Sequence, residues 1–177
     1  MAWDFDPVHS TIRFENGYLG ILTVHGRFMK ADVTLDLDDA DPTQSSISAT
    51  IDASSIETHN QRRDDTLRSA DYLDVGRFPT IEFRSKRIER RGDRYGVIGD
   101  LTIHGVTNEV ELDTEFNGAI VDARGIGRRG FSARVTVPRS AFGIHVNAPE
   151  PMPTSGEAVC IILEVATTKR NEPGQSP

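Results

Sequence analysis

Hydrophobic and polar residues alternate with a period of two along most of this chain. In residues 46–52, Ile47, Ala49 and Ile51 are separated by polar side chains, and the same pattern returns in residues 81–86, 109–116, 131–137 and 159–165. Successive side chains of a β-strand point to opposite faces, so a period of two gives one apolar and one polar face. Each run therefore predicts a strand with one buried and one solvated side.

Short polar segments with turn-forming residues separate these runs. The segments 91–93, 104–107 and 122–125 each contain a glycine and predict tight connections. Residues 17–37 predict either a bent strand or a hairpin, with Gly20 and Gly26 as candidate bulges. The pattern gives about eight strands, which consecutive hairpins would pair antiparallel. Closing them into a barrel removes the exposed edges, so the prediction is an all-β, eight-stranded antiparallel β-barrel.

One segment departs from the alternation and predicts a short helix near residues 59–72. Its apolar residues recur at helical spacing, and Thr58 with Gln61 fits a capping box in which the threonine begins the helix. Residues 139–142 predict a single helical turn, and residues 148–153, with three prolines, predict a loop. The polar residues 168–177 predict a disordered tail, which leaves residues 1–167 as one domain.

Charge and cysteine content narrow the expected partners and location. The net charge of -7 repels phosphate backbones, so no nucleic-acid partner is expected. Cys160 is the only cysteine, so no internal disulfide can form. No stretch approaches the roughly 18 apolar residues of a membrane span, so no stable membrane anchor is expected. The first residues lack a basic segment followed by an apolar one, which predicts no signal peptide and a cytoplasmic location.

Alternation alone leaves open whether the barrel interior is packed or hollow. Eight strands enclose a space that side chains can just fill or that holds one small ligand. Four small residues on the predicted inward faces would leave room, namely Ala49, Ser85, Gly99 and Ala133. The candidates to line a cavity and contact an apolar ligand are Ile12, Phe14, Phe28, Ile47, Ile51, Phe83, Leu101, Phe131, Ala133, Val135, Phe142 and Leu163.

Polar residues in the helix and loops are candidates for contacts at the barrel mouth. They are Asn60, Arg63, Arg68, Arg139 and His145. An arginine fork suits a phosphate or a carboxylate, so these residues could hold an anionic headgroup. The alternative is that Arg63 only pairs with Asp64 or Asp71.

The sequence predicts neither a metal site nor a catalytic residue. No two histidines have the i, i+2 or i, i+4 spacing that points two imidazoles at one ion. The histidines are His9, His25, His59, His104 and His145. No serine lies in a Gly-x-Ser-x-Gly elbow, where a nucleophile would be exposed for attack.

Several blocks of the chain, in unbroken order, resemble the YceI-like polyisoprenoid-binding family. The blocks are Asp6-Pro7-Val8-His9-Ser10, Gly26-Arg27-Phe28, residues 55–74, Phe78-Pro79-Thr80-Ile81, residues 99–107, Gly130-Phe131-Ser132-Ala133 and residues 139–143. The resemblance implies a lipocalin-like barrel that binds, transports or stores an amphiphile with a long tail, such as a polyisoprenoid, an isoprenoid quinone or a fatty chain. It implies no enzymatic activity and no cofactor other than a bound lipid.

Family members are often dimeric and many are exported, so the resemblance leaves a homodimer open. An outward face containing Tyr95, Val97 or Ile162 is the candidate for pairing across a two-fold axis. Two alternatives to lipid binding also stay open. One is an enzyme or sensor that acts on an isoprenoid-like lipid, and the other is a packed structural barrel without ligand.

The chain departs from the family pattern at two positions. Family members often carry histidine where this chain has Tyr18, and again at the last position of an Arg-Asp-x-His pattern, where this chain has Thr66. Tyr18 therefore joins the headgroup candidates. We expect this protein to keep tail binding, which does not depend on these histidines, while its headgroup preference stays open.

Overall fold

A computed structural model describes residues 3–145 and 155–170 of this protein. The predicted loop 148–153 and residues 171–177 of the predicted tail lie outside these ranges. One α-helix, α1, spans Gln61–Arg68. The strands are β1 Trp3–Phe5, β2 Thr11–Tyr18, β3 Leu22–Phe28, β4 Ala31–Asp36, β5 Ser46–Asp52, β6 Ile56–Glu57, β7 Thr80–Arg91, β8 Arg94–Ile103, β9 Val106–Val121, β10 Gly127–Pro138 and β11 Ser155–Lys169.

These segments form a closed, eight-stranded antiparallel barrel, as the alternation predicts. The first six are three bent strands, β1 with β2, β3 with β4, and β5 with β6. The long strands β7 to β11 complete the barrel, and β11 closes it by pairing with both β2 and β1. Strand β11 runs two residues beyond the predicted domain end, because Thr168 and Lys169 still pair with Asp4 and Trp3.

Side chains take over the backbone hydrogen bonds where the strands bend. At the first bend, Asp6 Oδ1 accepts the amides of Val8 and His9 at 3.0 and 3.3 Å. At the second, Ser55 Oγ accepts the amides of Met29 and Lys30, each at 3.1 Å. These side chains therefore supply acceptors for amides that the interrupted ladder no longer pairs. Residues 17–37 were predicted as a bent strand or a hairpin. They form the tight turn between β2 and β3, followed by the bent strand of β3 and β4.

The two glycines predicted as bulges have other roles. Strands β2 and β3 pair in regular register through Gly26, which lies opposite Phe14. A Cβ atom at Gly26 would lie 2.2 Å from Cζ of Phe14, so the glycine makes space for the aromatic ring. Gly20 lies in the turn between β2 and β3, at φ 70°.

The helix is shorter than predicted and begins differently. Its N-cap is Asn60, whose side chain accepts the amide of Arg63 at 3.0 Å. Thr58 does not cap the helix, because its amide and hydroxyl both donate to Asp64 Oδ1. Residues 139–142, predicted as one helical turn, form a 3-10 turn. We name the end of the barrel that holds α1, this 3-10 turn and the β2–β3 turn the helix end.

The opposite end, which holds the β7–β8 and β9–β10 turns, is called the hairpin end and is closed by packing. Trp3, Leu35 and Leu37 form a buried apolar cluster there. The guanidinium of Arg129 lies 4.2 Å from the Trp3 ring, and Asp39 joins both, at 3.1 Å from the indole nitrogen and 2.7 Å from Arg129 Nη2. Burial raises the pKa of Asp39, but the Trp3 hydrogen bond and the charge of Arg129 outweigh this effect and lower it.

The three residues suggested for a homodimer face do not form an exposed outward surface. Val97 is buried and faces the barrel interior, and Tyr95 packs against the main apolar core, to which Val97 belongs. Both belong to the inward set of β8, two residues apart, so a period of two places them on one face. Ile162 is also buried.

Candidate functional site

A cavity of about 390 Å³ occupies the barrel interior. Tyr18, Arg63 and Thr66 belong to its lining, are exposed, and lie at the helix end, so the cavity opens there. Many apolar residues that point inward, such as Ala133 and Leu163, are only half-buried because they face this space. The barrel is therefore hollow, which the alternation alone left undecided, and the cavity lies within the range of small-molecule sites.

All the residues predicted to contact an apolar ligand line this cavity. They are Ile12, Phe14, Phe28, Ile47, Ile51, Phe83, Leu101, Phe131, Ala133, Val135, Phe142 and Leu163. Strand register brings them together: Ala133 lies opposite Leu163, which lies opposite Ile12 across the next pair. Because the barrel is closed, the inward set can be counted with a period of two along each strand between its register shifts.

Two of the four small residues leave room in the cavity and two do not. Ala49 and Ala133 line it. Gly99 does not open space, because the Phe83 ring covers it, and a Cβ there would lie 2.8 Å from Cζ of that ring. Ser85 lies beside a register shift, and its hydroxyl accepts the amide of Ile47 at 2.9 Å. The sequence pattern does not show such ring-to-glycine contacts or register shifts.

Other lining residues come from outside the alternating strands. The helix and the segment after it contribute Leu67, Tyr72 and Leu73, and the chain after the 3-10 turn contributes Ile144. Leu67 lies in α1, within the segment predicted to be helical. Tyr72 and Ile144 lie in irregular segments, where no period marks which side chains point inward.

Arg63 stands at the cavity mouth and makes no direct ion pair with a carboxylate of the described residues. Its Nε donates to the Thr58 hydroxyl and its Nη2 to the Thr58 carbonyl, both at 2.7 Å. Among residues 3–145 and 155–170, no carboxylate lies within ion-pair distance of its guanidinium, so the predicted alternative of a pair with Asp64 or Asp71 is wrong. Asp64 instead fixes Thr58, which in turn orients the arginine.

Arg139 also lines the cavity but is engaged by the protein. Its guanidinium donates to the carbonyls of Ile144 and Gly156, at 2.9 and 3.1 Å, and its Nε lies 3.7 Å from Glu157. Hydrogen bonds from Ser140 lower the pKa of Glu157, and the positive charge of Arg139 adds to this effect. Arg139 therefore ties the 3-10 turn to β11 and presents part of its side chain to the mouth.

The other three headgroup candidates stand outside the cavity lining. Asn60 caps α1. Arg68 holds the helix to the bend between β5 and β6, donating to the carbonyls of Ser54 and Ile56 at 2.8 and 2.7 Å. His145 is exposed beyond the 3-10 turn. The contacts of Arg68 reach residues distant in the chain, which sequence spacing does not show.

Neither a cluster of metal-ligating side chains nor a membrane-spanning helix occurs in the part of the chain that the structure describes. No three His, Cys, Asp or Glu side chains come close enough there to hold a metal ion. No helix in the described ranges has both the length and the apolar character needed to cross a bilayer.

The amino-acid sequence of this chain is similar to those of known proteins. The sequence profile of the YceI-like domain matches residues 3–167. A UPF0312 protein of Pectobacterium atrosepticum is 34% identical over 142 residues, which cover 80% of this chain and 74% of that protein.

Solved structures share the fold at lower sequence identity. Burkholderia cenocepacia BcnA superposes with a TM-score of 0.83 at 22% identity, covering 92% of this chain and 99% of that one. A polyisoprenoid binding domain from Saccharophagus degradans, implicated in plant cell wall breakdown, superposes with a TM-score of 0.68 at 12% identity. That superposition covers 96% of this chain and 99% of the domain. At these identities the likeness shows a common barrel.

Proposed function

This chain belongs to the YceI-like domain family, and on that premise we propose that its barrel binds a long-chain amphiphilic lipid. The tail would be a polyisoprenoid, an isoprenoid quinone or a fatty chain. The observation that carries the proposal is the cavity of about 390 Å³, with apolar walls along the strands and its opening at the helix end. The Saccharophagus degradans relative by fold, named as a polyisoprenoid binding domain, supports the same class of ligand.

The walls favour a hydrocarbon over a polar ligand. Thr114 is the one lining residue among the described ranges that is both polar and buried, and its hydroxyl donates to the Leu112 carbonyl at 3.1 Å. A polar ligand would lose hydrogen bonds to water in such a space, whereas each buried methylene contributes about 0.8 kcal/mol. Affinity would therefore grow with the length of tail that the cavity encloses.

We assign the mouth to the headgroup. Arg63 is held by the hydroxyl and carbonyl oxygen atoms of Thr58, and it is exposed in the cavity lining. Tyr18 lies in the same lining and offers a phenol hydroxyl. An anionic headgroup, a phosphate or a carboxylate, would pair with Arg63 through charge-assisted hydrogen bonds.

The test is lipid uptake by a protein whose cavity has been filled. Replacing Ala133 by phenylalanine puts a ring into the middle of the cavity, so we expect bound lipid to fall at least several-fold. Mass spectrometry of solvent extracts from freshly purified protein, and titration with a fluorescent prenyl probe, would measure this. The matched control is Thr136→Phe, an exposed position outside the lining on the same strand.

Two outcomes would count against lipid binding. Wild-type protein that carries no extractable lipid and takes up neither prenyl nor fatty probes would contradict the proposal. Equal uptake by Ala133→Phe and Thr136→Phe would place the binding site elsewhere. Circular dichroism of both variants would show that the barrel is intact.

The apolar depth of the cavity also favours binding over catalysis. An enzyme would need a cluster of polar groups around the reacting atoms, with shifted pKa values. The polar lining residues lie instead at the mouth, apart from Thr114 and the exposed Arg13. We further propose that the protein carries its lipid in the cytoplasm, which fractionation of cells that produce the chain would test.

A further inference from the structure

The turn between β2 and β3 exposes apolar side chains at the helix end. Ile21 and Leu22 are 76% and 64% exposed, and Tyr18 is 40% exposed. Residues 17–23 include no charged side chain. Exposed apolar residues grouped at one point of a surface mark a site of contact with another apolar surface.

The backbone of this turn does not require apolar residues. Leu19 and Gly20 have φ values of 53° and 70°, and the Ile21 amide donates to the Tyr18 carbonyl at 3.1 Å. Two successive residues at positive φ make a type I′ turn, for which Asn-Gly is the favoured sequence. Leucine is unfavourable at positive φ, so an apolar residue stands where a polar one would fit the backbone better.

This turn is continuous with the mouth of the cavity. Gly17 and Tyr18 belong to the cavity lining, and Tyr18 is also the first residue of the turn. A lipid that leaves or enters the cavity at this end passes the exposed side chains of Ile21 and Leu22. We name Tyr18–Leu22 the apolar tip.

We propose that the apolar tip inserts into the surface of a lipid bilayer, so that lipid passes between membrane and cavity without crossing water. This inference rests on the proposed lipid binding. A long tail is costly to expose to water, and contact between mouth and bilayer avoids that exposure. The net charge of -7 repels anionic surfaces, so insertion of apolar side chains, and not charge attraction, would drive the contact.

The chain supplies its own matched control at the hairpin end. Ile120 and Val121 are 67% and 72% exposed, similar to Ile21 and Leu22. They precede the β9–β10 turn, where Asp122 and Arg124 are charged, and they lie outside the cavity lining. The two pairs differ in position relative to the mouth and in the charge beside them.

The first experiment measures partition onto phosphatidylcholine vesicles by co-sedimentation. We expect Ile21→Ser combined with Leu22→Ser to weaken partition by about tenfold or more, since two apolar side chains no longer leave water. The control, Ile120→Ser combined with Val121→Ser, should stay within about twofold of wild type. Adding anionic phosphatidylglycerol should weaken wild-type partition because of the negative net charge.

A second variant separates docking from folding. Leu19→Asn suits the type I′ turn, so its melting temperature should equal or exceed that of wild type. Its vesicle partition should nevertheless fall, because the tip becomes more polar. A loss of partition at unchanged stability cannot arise from unfolding.

The third measurement separates docking from lipid binding. A fluorescent prenol probe in vesicle-free solution should bind wild type, tip variants and control equally. Its transfer rate to acceptor vesicles should rise with vesicle concentration for wild type and fall in the tip variants. If wild type binds vesicles through the tip but takes up no probe, the proposed function fails and the docking site stands.

Three results would overturn the docking site. The first is that wild type does not partition onto vesicles, and the second is that the tip variants partition as well as the control. The third is that mutation of the tip lowers the molecular mass measured by analytical ultracentrifugation. The last would show that the tip contacts a second copy of this chain and not a membrane.

Discussion

At the scale of single residues, Arg63 differs from Arg68 and Arg139 in what holds its guanidinium. Arg68 and Arg139 each donate to two backbone carbonyls and lie near a carboxylate. Arg63 is positioned just as firmly, but through the neutral oxygens of Thr58. A cation that the protein orients without a direct ion pair can accept an anion from outside.

Arg63 should therefore set the preference for an anionic headgroup. We expect Arg63→Gln to reduce the affinity for a prenyl phosphate about tenfold, the cost of losing one charge-assisted contact, and to leave the affinity for the uncharged prenol of equal length unchanged. Fluorescence titration of both ligands measures the ratio. Arg62→Gln, on the adjacent exposed position outside the lining, is the control. An unchanged phosphate-to-prenol ratio would remove Arg63 from the headgroup site.

At the scale of elements, the β2–β3 pair shapes the cavity wall through one close contact. The Phe14 ring lies on Gly26, and a Cβ there would also come within 2.9 Å of Thr58 Cγ2. The ring is thus held between two strands and the segment that leads into α1. The wall and the mouth are coupled through Thr58, because the same residue holds Arg63.

Gly26→Ala should consequently displace the Phe14 ring into the cavity. We expect a loss of about 1–3 kcal/mol in the free energy of unfolding from overpacking, together with reduced probe uptake. Urea denaturation and probe titration measure the two effects. Gly130→Ala, in β10 with no neighbour closer than 3.6 Å to the added Cβ, is the control. Full uptake by Gly26→Ala at wild-type stability would show that the ring can repack without cost.

The elements also show how far the sequence determines the site. The inward residues of the strands could be counted from the period of two, and every predicted tail contact lines the cavity. The mouth could not be predicted in this way, because its contacts join distant segments. Arg68 reaches Ser54, fourteen positions away, and Thr58 bonds Asp64 in place of capping the helix. The sequence predicts Thr58 as the cap of α1, but Thr58 is bonded to Asp64 and Arg63, and Asn60 caps the helix.

At the scale of the whole molecule, the barrel has one open and one closed end. The helix end carries the mouth, Arg63 and the apolar tip. The hairpin end is closed by Trp3 and by two groups of ion pairs, Arg129 with Asp39 and Arg128 with Asp6 and Asp122. Closure at one end gives the cavity a single direction of entry. We therefore expect substitutions at the hairpin end to change stability and substitutions at the helix end to change ligand binding.

The closed end should weaken in acid, with Asp39 as a principal contributor. Its pKa is lowered in the folded protein, against the effect of burial, by the Trp3 hydrogen bond and by Arg129. A lowered folded pKa gives stability that is present above the unfolded value of about 3.9 and is lost as pH falls through the folded pKa. Asp39→Asn should therefore cost about 1 kcal/mol near pH 7, and its difference from wild type should shrink below about pH 4.

Trp3 is the only tryptophan and lies at this closed end, so its fluorescence reports the transition directly. Urea denaturation curves at a series of pH values, for wild type and Asp39→Asn, measure how stability depends on protonation. Asp32→Asn, an exposed carboxylate on β4, is the control and should follow wild type throughout. If the curves for Asp39→Asn and wild type stayed parallel down to pH 3, the ion pair would not contribute to closure. Packing of Trp3 with Leu35 and Leu37 would then hold the hairpin end by itself.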